Sequence, residues 1–249
     1  MFRQRITPVL LLKNNGLVKT IQFNKKNAKY VGDPLNAVKI FNDLKADELI
    51  FLDIDASINN TTINYDLVRD IADEAYMPFA IGGGITNINQ VEKILKLGAE
   101  RVVINTNAYK QDNFINQVVK EFGSSSVIVA IDIKKNIFGN YKIYHTCGTK
   151  KSNSSLLEHL KYVQDQGAGE IFFQSISNDG TYDGYDLDLI KLVSENTNIP
   201  IIPCGGCSSF EDFNDLKLFD GISSYAAGSL FVYYGPRKAV LINYPNKPS

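Results

Sequence analysis

Eight short apolar runs recur along the chain, and amphipathic segments separate them. Most of the runs are continuously apolar rather than alternating, which is typical of parallel strands covered on both faces. We predict strands at Ile6–Leu12, Leu49–Asp53, Phe79–Ile81, Arg101–Ile104, Val127–Ile133, Glu170–Gln174, Ile199–Pro203 and Gly221–Tyr225. Helices are predicted where apolar residues lie three and four apart, as at Val91–Leu97, Leu156–Val163 and Leu187–Val193. Eight strand–helix units in 249 residues predict an α/β protein with a single (β/α)₈ barrel.

Local signals support this arrangement. Asp33-Pro34 is typical of a helix start, and Ser208 to Glu211 has the spacing of a capping box. No linker or low-complexity tract divides the chain, so we expect one domain over residues 1–249. Its end is a short tail from Tyr234, rich in proline and expected to be weakly structured.

Features of the first half of the sequence recur in the second half at an offset of 122 residues. The matched positions are Glu48 with Glu170, Pro78 with Pro200, and Gly83-Gly84 with Gly205-Gly206. With one residue of slippage, Leu11 corresponds to Asp132. This internal repeat predicts a barrel built from two half-barrels.

The overall charge excludes some partners. A net charge of −1 and a pI near 6.1 give no field that would attract nucleic acid or an anionic membrane surface. The apolar run Pro8–Leu12 is bracketed by charged residues and is far shorter than a membrane span. Three cysteines do not make a disulfide framework. We therefore expect a soluble, cytoplasmic protein that recognises its partners locally.

Barrel enzymes build their sites from the loops at the carboxyl ends of the strands, and these ends are distinctive here. Glycines at such turns let backbone N–H groups approach an anion, and a short helix after the eighth strand would add its positive end. The alternative is that the glycines only make tight turns. Two repeat-related glycine pairs favour phosphate binding, and a ligand with a phosphate at each end fits best. The candidate binding residues are Gly83, Gly84, Asn105, Thr106, Asp179, Gly180, Gly205, Gly206, Gly228 and Ser229.

Asp132 ends the apolar run Val127 to Ile131. An unpaired carboxylate inside a barrel is costly, which indicates a function. Burial would raise its pKa and suit it to general acid–base catalysis, whereas the alternative role is a structural hydrogen bond to a loop.

Charged residues also mark the amino ends of four strands, at Arg5, Glu48, Arg101 and Glu170. Four such residues can pair in a ring that closes the barrel floor and acts as a gate. Salt bridges that only stabilise this face are the simpler alternative.

Cys204 and Cys207 have Cys-x-x-Cys spacing, and Cys147 lies beyond the fifth strand. A redox pair or metal site is a minor alternative, because the intervening glycines are already assigned to phosphate and no second Cys-x-x-Cys is present. His159 is predicted on a helix surface and His145 in a loop, with ligand binding by His145 as the lesser alternative. We expect no metal and no cofactor.

Over nearly its whole length the sequence resembles the cyclase subunit of imidazole glycerol phosphate synthase, a (β/α)₈ barrel of the ribulose-phosphate-binding type. The shared motifs are Arg5-Ile6 leading to Lys13, Leu17-Val18-Lys19, Gly32-Asp33-Pro34, Asp47 to Asp53, Gly82-Gly83-Gly84-Ile85, Ile104-Asn105-Thr106, Phe122-Gly123-Ser124, Ala130-Ile131-Asp132, Gly167 to Ile171, and Asp179-Gly180-Thr181 with Gly184-Tyr185-Asp186.

The resemblance implies a carboxyl face that binds a ribulosyl nucleotide bearing two phosphates, and a floor that docks a glutaminase and admits its ammonia. Arg5, Glu48 and Glu170 match the family's gate, and Arg101 replaces its lysine. In that family, aspartates from the first and fifth strands act as acid and base. Asp132 matches the second aspartate, but the first is Leu11, which cannot transfer a proton.

The run Pro8 to Lys13 resembles a branch of the family associated with acetamidino modification of bacterial surface sugars, as in lipopolysaccharide biosynthesis. In that branch the barrel is thought to combine with a glutaminase and to pass ammonia to a separate sugar amidotransferase. A short tail, where the cyclases usually carry a final helix, is a further departure from them.

Three hypotheses follow from the sequence. The first is an ammonia-conducting subunit for sugar amidination. The second is a genuine cyclase, a lyase of histidine biosynthesis, that uses Asp132 with a substitute acid near Lys13 and Asn14. The third is a scaffold or a barrel that binds a phosphorylated small molecule without catalysis.

Overall fold

The structure is a computed structural model that describes residues 4–245. Its strands are β1 (Arg5–Lys13), β2 (Gly16–Lys19), β3 (Lys29–Gly32), β4 (Leu49–Asp53), β5 (Phe79–Gly82), β6 (Arg101–Ile104), β7 (Val127–Lys135), β8 (Tyr141–His145), β9 (Lys150–Lys151), β10 (Glu170–Ser175), β11 (Ile201–Cys204), β12 (Ser224–Ala227), β13 (Tyr233–Tyr234) and β14 (Ala239–Val240). Its helices are α1 (Pro34–Asp43), α2 (Ala56–Asn59), α3 (Tyr65–Glu74), α4 (Ile88–Lys96), α5 (Thr106–Lys110), α6 (Phe114–Phe122), α7 (Leu156–Asp165), α8 (Leu187–Ser194), α9 (Phe213–Leu216) and α10 (Ser229–Val232).

Eight of these strands form a closed parallel barrel in the order β1, β4, β5, β6, β7, β10, β11 and β12. Strand β12 pairs with β1, and the last gap is closed where Ile201 bonds to both Gly221 and Ser223 through backbone N–H···O contacts of 2.9 and 3.0 Å. The predicted (β/α)₈ barrel is therefore confirmed.

Two predicted strand positions need correction. The seventh strand begins at Ile201 instead of Ile199, because Pro200 has no N–H to donate to the sheet. The eighth begins at Ser224 instead of Gly221, whose φ of +78° belongs to a turn. The remaining six strands lie where the apolar runs placed them.

Helix starts were predicted with mixed success. Asp33 caps α1 by accepting a hydrogen bond from the Asn36 N–H at 2.9 Å, as expected. The capping box predicted at Ser208 to Glu211 is wrong: the Ser208 N–H and hydroxyl both bond to Asp212 instead, at 2.7 and 2.9 Å.

The two half-barrels place their repeat-related glycines in matching surroundings. A Cβ atom on Gly83 or Gly205 would lie 2.7 Å from the end of β4 or β10, the preceding barrel strand. A Cβ on Gly84 or Gly206 would collide with a backbone carbonyl in the loop after β4 or β10, from Thr61 or Gly184, and both glycines have positive φ angles, +65° and +98°. Only glycine fits these four positions, which supports the repeat seen in the sequence.

The tail is more ordered than its prolines suggested. Its strands β13 and β14 form a hairpin, and Tyr244 is 7% exposed. The Tyr244 hydroxyl donates to the Ile6 carbonyl at 2.9 Å, and its ring stacks on Phe231 at 5.7 Å. No helix in residues 4–245 is long and apolar enough to cross a membrane.

Candidate functional site

The carboxyl ends of the strands surround a cavity of about 160 Å³, which we call the first cavity. Four predicted binding residues line it, namely Gly83, Gly84, Asn105 and Thr106. The predicted catalytic residue Asp132 lines the same cavity. The fold therefore brings the ends of β5, β6 and β7 together on one side of the barrel mouth.

Asp132 has the electrostatic character expected from the sequence. It is 7% exposed, and burial raises its pKa from 3.8 to about 7. A hydrogen bond with the Asn105 side chain lowers the pKa, whereas the charge of Asp179 raises it. A carboxyl with this pKa exists in both protonation states near neutral pH, as proton transfer requires.

The other predicted binding residues line a second cavity of only about 20 Å³. They are Asp179, Gly180, Gly205, Gly206, Gly228 and Ser229. This volume holds about one water molecule. The two cavities match in the repeat but differ in size, and binding of a phosphate in each of them stays a prediction.

Lys19 lines the second cavity and lies close to one of its glycines. Its Nζ donates to the Val9 carbonyl at 2.7 Å and would lie 2.6 Å from a Cβ placed on Gly228. Burial lowers the Lys19 pKa to about 8, while the nearby Asp179 raises it. An anion entering this cavity would therefore meet a buried amine.

Leu11 lines both cavities, as does Gln174. An apolar side chain thus stands between the two sites, where the repeat would place a counterpart of Asp132. The suggested substitutes Lys13 and Asn14 line neither cavity. Lys13 ends β1, and Asn14 begins the turn to β2 with a φ of +50°, so the expectation that they lie close enough to replace an acid is wrong.

Residues 20–28, which we call the lid, cover the barrel mouth. The Gln22 N–H donates to the Asp179 carbonyl at 2.9 Å, and the Phe23 N–H donates to its carboxylate at 3.4 Å. Lys25 forms an ion pair with Asp55 and donates to the Ile54 carbonyl at 3.0 Å. These contacts tie the lid to loops on opposite sides of the mouth.

At the amino ends of the strands, the four charged residues form one ring, which we call the floor ring. Arg5 contacts Glu48 at 3.0 Å and Glu170 at 2.6 Å, and Arg101 forms ion pairs with both glutamates. Glu48 is fully buried, and its Oε2 also accepts from Thr7 at 3.2 Å. Burial lowers the Arg101 pKa, and the charge of Glu170 raises it. Opposite charges alternate round the ring, so each carboxylate is paired with two guanidinium groups.

Apolar side chains fill the barrel between the floor ring and the cavities. Phe172 is the largest, surrounded by the small residues Ala80, Ala130 and Ala226 and by branched aliphatic residues. The barrel interior between the floor ring and the cavities is therefore largely apolar.

The cysteines and histidines have structural surroundings. Cys204 and Cys207 are buried and free, and burial raises the pKa of both thiols, which argues against reactive thiolates. His159 is not on the helix surface as predicted. It is 4% exposed and stacks on Tyr109 at 4.1 Å, and burial lowers its pKa to about 4. In residues 4–245, no group of three or more His, Cys, Asp or Glu residues could hold a metal ion.

Sequence reasoning missed several cavity residues. Asp53 ends β4 and lines the first cavity, and burial raises its pKa. The signal was present, since it ends an apolar strand in the same way as Asp132. Phe23 and Lys25 could not be placed, because their positions depend on how the lid folds back, and Lys19 could not be placed, because its position depends on the pairing of β2 with β1.

The closed barrel, its duplicated mouth and its charged floor define a (β/α)₈ barrel of the ribulose-phosphate-binding type. The family described as histidine biosynthesis protein matches residues 5–236. Accordingly, this chain belongs to that family and, within it, to the imidazole glycerol phosphate synthase cyclase subunits.

Individual relatives extend over almost the whole chain. The chain is 45% identical over 246 residues to a Pseudomonas aeruginosa protein provisionally named imidazole glycerol phosphate synthase subunit hisF2, covering 99% of this chain and 97% of the relative. A Leptospira borgpetersenii protein, provisionally named as subunit HisF, is 47% identical over 99% of this chain and 96% of its own length. Imidazole glycerol phosphate synthase subunit HisF of Alkaliphilus metalliredigens is 36% identical over 233 residues, covering 94% of this chain and 92% of the relative.

Proposed function

We propose that this chain is the barrel subunit of a glutamine amidotransferase complex. In this proposal a glutaminase docks at the amino face of the barrel, ammonia enters through the floor ring, and the chain passes it on for amidination of a bacterial surface sugar. The single observation that carries the proposal is the floor ring retained together with Leu11 in place of a catalytic carboxylate.

The floor ring supports entry of ammonia. Alternating salt bridges close the floor, yet Arg5 remains partly exposed, with 32% of its side chain accessible from the amino face. A docked protein could therefore reach it and shift its ion pairs. Leaving a buried charge without its partner is costly. We therefore expect the ring to open by a shift of its side chains that keeps each charge paired.

The barrel interior supports passage of the neutral molecule. Uncharged NH₃ can cross a core lined by Phe172, Ala130 and similar groups, whereas the ammonium ion would lose its hydration without compensation. Delivery through the barrel would thus protect the reactive form from protonation by bulk water.

Leu11 supports the transfer of ammonia to another protein rather than its consumption in this barrel. Addition of ammonia followed by ring closure needs groups that give and take protons on both sides of the reacting atoms. Asp132 supplies one such group, and the residue that stands between the cavities is apolar.

Glutamine hydrolysis by the cognate glutaminase, measured with and without this chain, tests the proposal. We expect the chain to stimulate hydrolysis, and we expect Arg5→Ala to remove most of the stimulation. Arg69→Ala is the matched control, because Arg69 is 54% exposed on α3 and pairs only with its helix neighbour Asp66 among residues 4–245. Absence of stimulation by the native chain would refute the proposal, and equal stimulation by Arg5→Ala would support a scaffold without ammonia transfer.

The cyclase reaction of histidine biosynthesis is the second candidate. The names of the relatives favour it, and so does the Asp132 pKa of about 7 beside the glycine-rich loops. In this case Lys19, with a pKa near 8 in the second cavity, would have to supply the second proton-transfer group. Formation of imidazole glycerol phosphate from ammonia and the ribulosyl nucleotide distinguishes it from the first.

A further inference from the structure

A β-hairpin made by β7 and β8 projects beyond the barrel, and its tip is apolar. Ile137 is 94% exposed and Phe138 is 81% exposed. The turn is held by the Asn136 side chain, whose Oδ1 accepts from the N–H groups of Phe138 and Asn140 at 3.0 and 2.9 Å. Because this turn is fixed by hydrogen bonds, the two apolar side chains are held in solvent.

The same hairpin concentrates positive charge. Residues 134–151 contain five lysines and no acidic residue, in a chain whose net charge is −1. Lys135 contacts Asp188 at 3.6 Å, but within residues 4–245 the remaining four lysines, Lys134, Lys142, Lys150 and Lys151, form no ion pair.

The pairing register places two of these lysines directly opposite each other. Lys134 faces Lys142 across β7 and β8. Like charges at directly opposed positions destabilise a sheet. The arrangement therefore costs stability in the isolated chain and would be relieved by an acidic partner.

Three of the five lysines, Lys134, Lys142 and Lys151, lie on the hairpin face that adjoins the barrel mouth. Side chains alternate along a strand, so Lys134 lies on the same face of β7 as Asp132. Cys147, just after β8, lines the first cavity. The root of the hairpin thus forms part of the cavity wall, and its basic face continues upward from it.

The hairpin is also linked to the lid. Ser177 accepts from Gln22 Nε2 through its carbonyl at 2.7 Å and from the Lys135 N–H through its hydroxyl at 3.3 Å. The neighbouring lid residue Ile21 is 55% exposed. A protein seated on the hairpin would therefore also reach the segment that covers the mouth.

We propose that the β7–β8 hairpin is the docking arm for the protein that receives the ammonia, and that this protein presents an acidic surface with an apolar recess for Ile137 and Phe138. The inference rests on the proposed function, since a receiver must lie over the mouth from which ammonia leaves. Large apolar side chains at the centre of a charged rim are the usual anchors of protein interfaces.

The test measures binding of the chain, in complex with its glutaminase, to the purified sugar amidotransferase of the same organism. Ile137→Ser with Phe138→Ser, and separately Lys134→Glu with Lys142→Glu, should each weaken binding by about tenfold or more. The matched control is Ile40→Ser with Lys39→Glu on the outer face of α1, where Ile40 is 42% exposed and Lys39 is 56% exposed, and it should change binding less than about twofold.

Stimulation of the glutaminase is measured on the same variants and should be unchanged, because the hairpin lies at the opposite end of the barrel from the floor ring. Native binding to the amidotransferase that neither hairpin variant weakens would overturn the docking arm while leaving the proposed function intact. The docking arm would also be overturned if the native chain did not bind the amidotransferase at all. The same holds if the hairpin instead mediated self-association of the chain or binding to phosphatidylglycerol vesicles, and the hairpin variants abolished it. Failure of the native chain to stimulate the glutaminase would instead overturn the proposed function.

Discussion

At the scale of single residues, the chemistry of the site depends on Leu11, which stands where the internal repeat would place a second aspartate. Leu11 and Asp132 occupy corresponding positions in the two half-barrels, but only one of them can exchange a proton. The remaining carboxyl is buried and carries an elevated pKa, so it stores an unfavourable charge at neutral pH. The ionised Asp132 should therefore lower the free energy of unfolding by an amount that can be measured.

Asp132→Asn should therefore stabilise the protein in a pH-dependent manner. The carboxyl pKa is 3.8 as a reference and about 7 in the fold, so the native chain binds the extra proton and loses stability as pH rises between these values. Above pH 7 the variant should be more stable by up to about 4 kcal/mol, and near pH 4 the difference should vanish.

Urea denaturation from pH 4 to pH 8 measures this difference. Asp183→Asn, an exchange of the same kind at an exposed position, should leave the free energy of unfolding nearly unchanged at every pH. A variant that is less stable than the native chain at pH 8 would show that the Asp132 charge is compensated by contacts that the structure does not contain.

The strand-end residues of the site could be predicted from the sequence, because barrel architecture fixes where the ends of the strands lie. Parallel strands put their carboxyl ends on one face, so Gly83, Asn105 and Asp179 could be assigned to one mouth before any coordinates. Lys19 could not be assigned in this way. Its place in the second cavity depends on the antiparallel return of β2 along β1, which neither periodicity nor repeat indicates.

At the scale of elements, the eight barrel strands were predictable and the added strands were not. Long apolar runs such as β7 carry their own signal. Strands β8 and β9 are short and largely exposed, and they gain their order from pairing, β8 with β7 and β9 with β8. The burial of His159 was missed for a related reason, because it depends on stacking against Tyr109 from another element.

The floor ring connects charged residues from four strands. Removal of one of them should therefore leave the remaining residues with fewer ion-pair partners and destabilise the protein. Arg101→Ala leaves the fully buried Glu48 and the largely buried Glu170 with Arg5 as their shared cation, so we expect a loss of about 3–5 kcal/mol in the free energy of unfolding. Arg101→Lys should recover part of this loss, because it keeps the charge but not the paired geometry.

The exposed pair Arg69–Asp66 provides the reference for this measurement. Arg69→Ala should cost less than about 1 kcal/mol, since both side chains are more than half exposed. Equal effects of Arg69→Ala and Arg101→Ala in urea denaturation would mean that the floor ring is not a coupled, buried network.

At the scale of the whole molecule, the two ends of the barrel differ in their chemistry. The amino end presents a closed ring of charges, the interior is apolar, and the carboxyl end carries two unequal cavities, a lid and a basic hairpin. We propose that such a chain transfers ammonia without completing the cyclase reaction.

Ammonia-dependent turnover of the ribulosyl nucleotide tests this proposal, measured for the purified chain, for its Leu11→Asp and Asp132→Asn variants and for an authentic cyclase. We expect no turnover by the native chain while the authentic cyclase is active and the chain is folded. Turnover by the native chain that Asp132→Asn abolishes would contradict the account and establish the cyclase reaction.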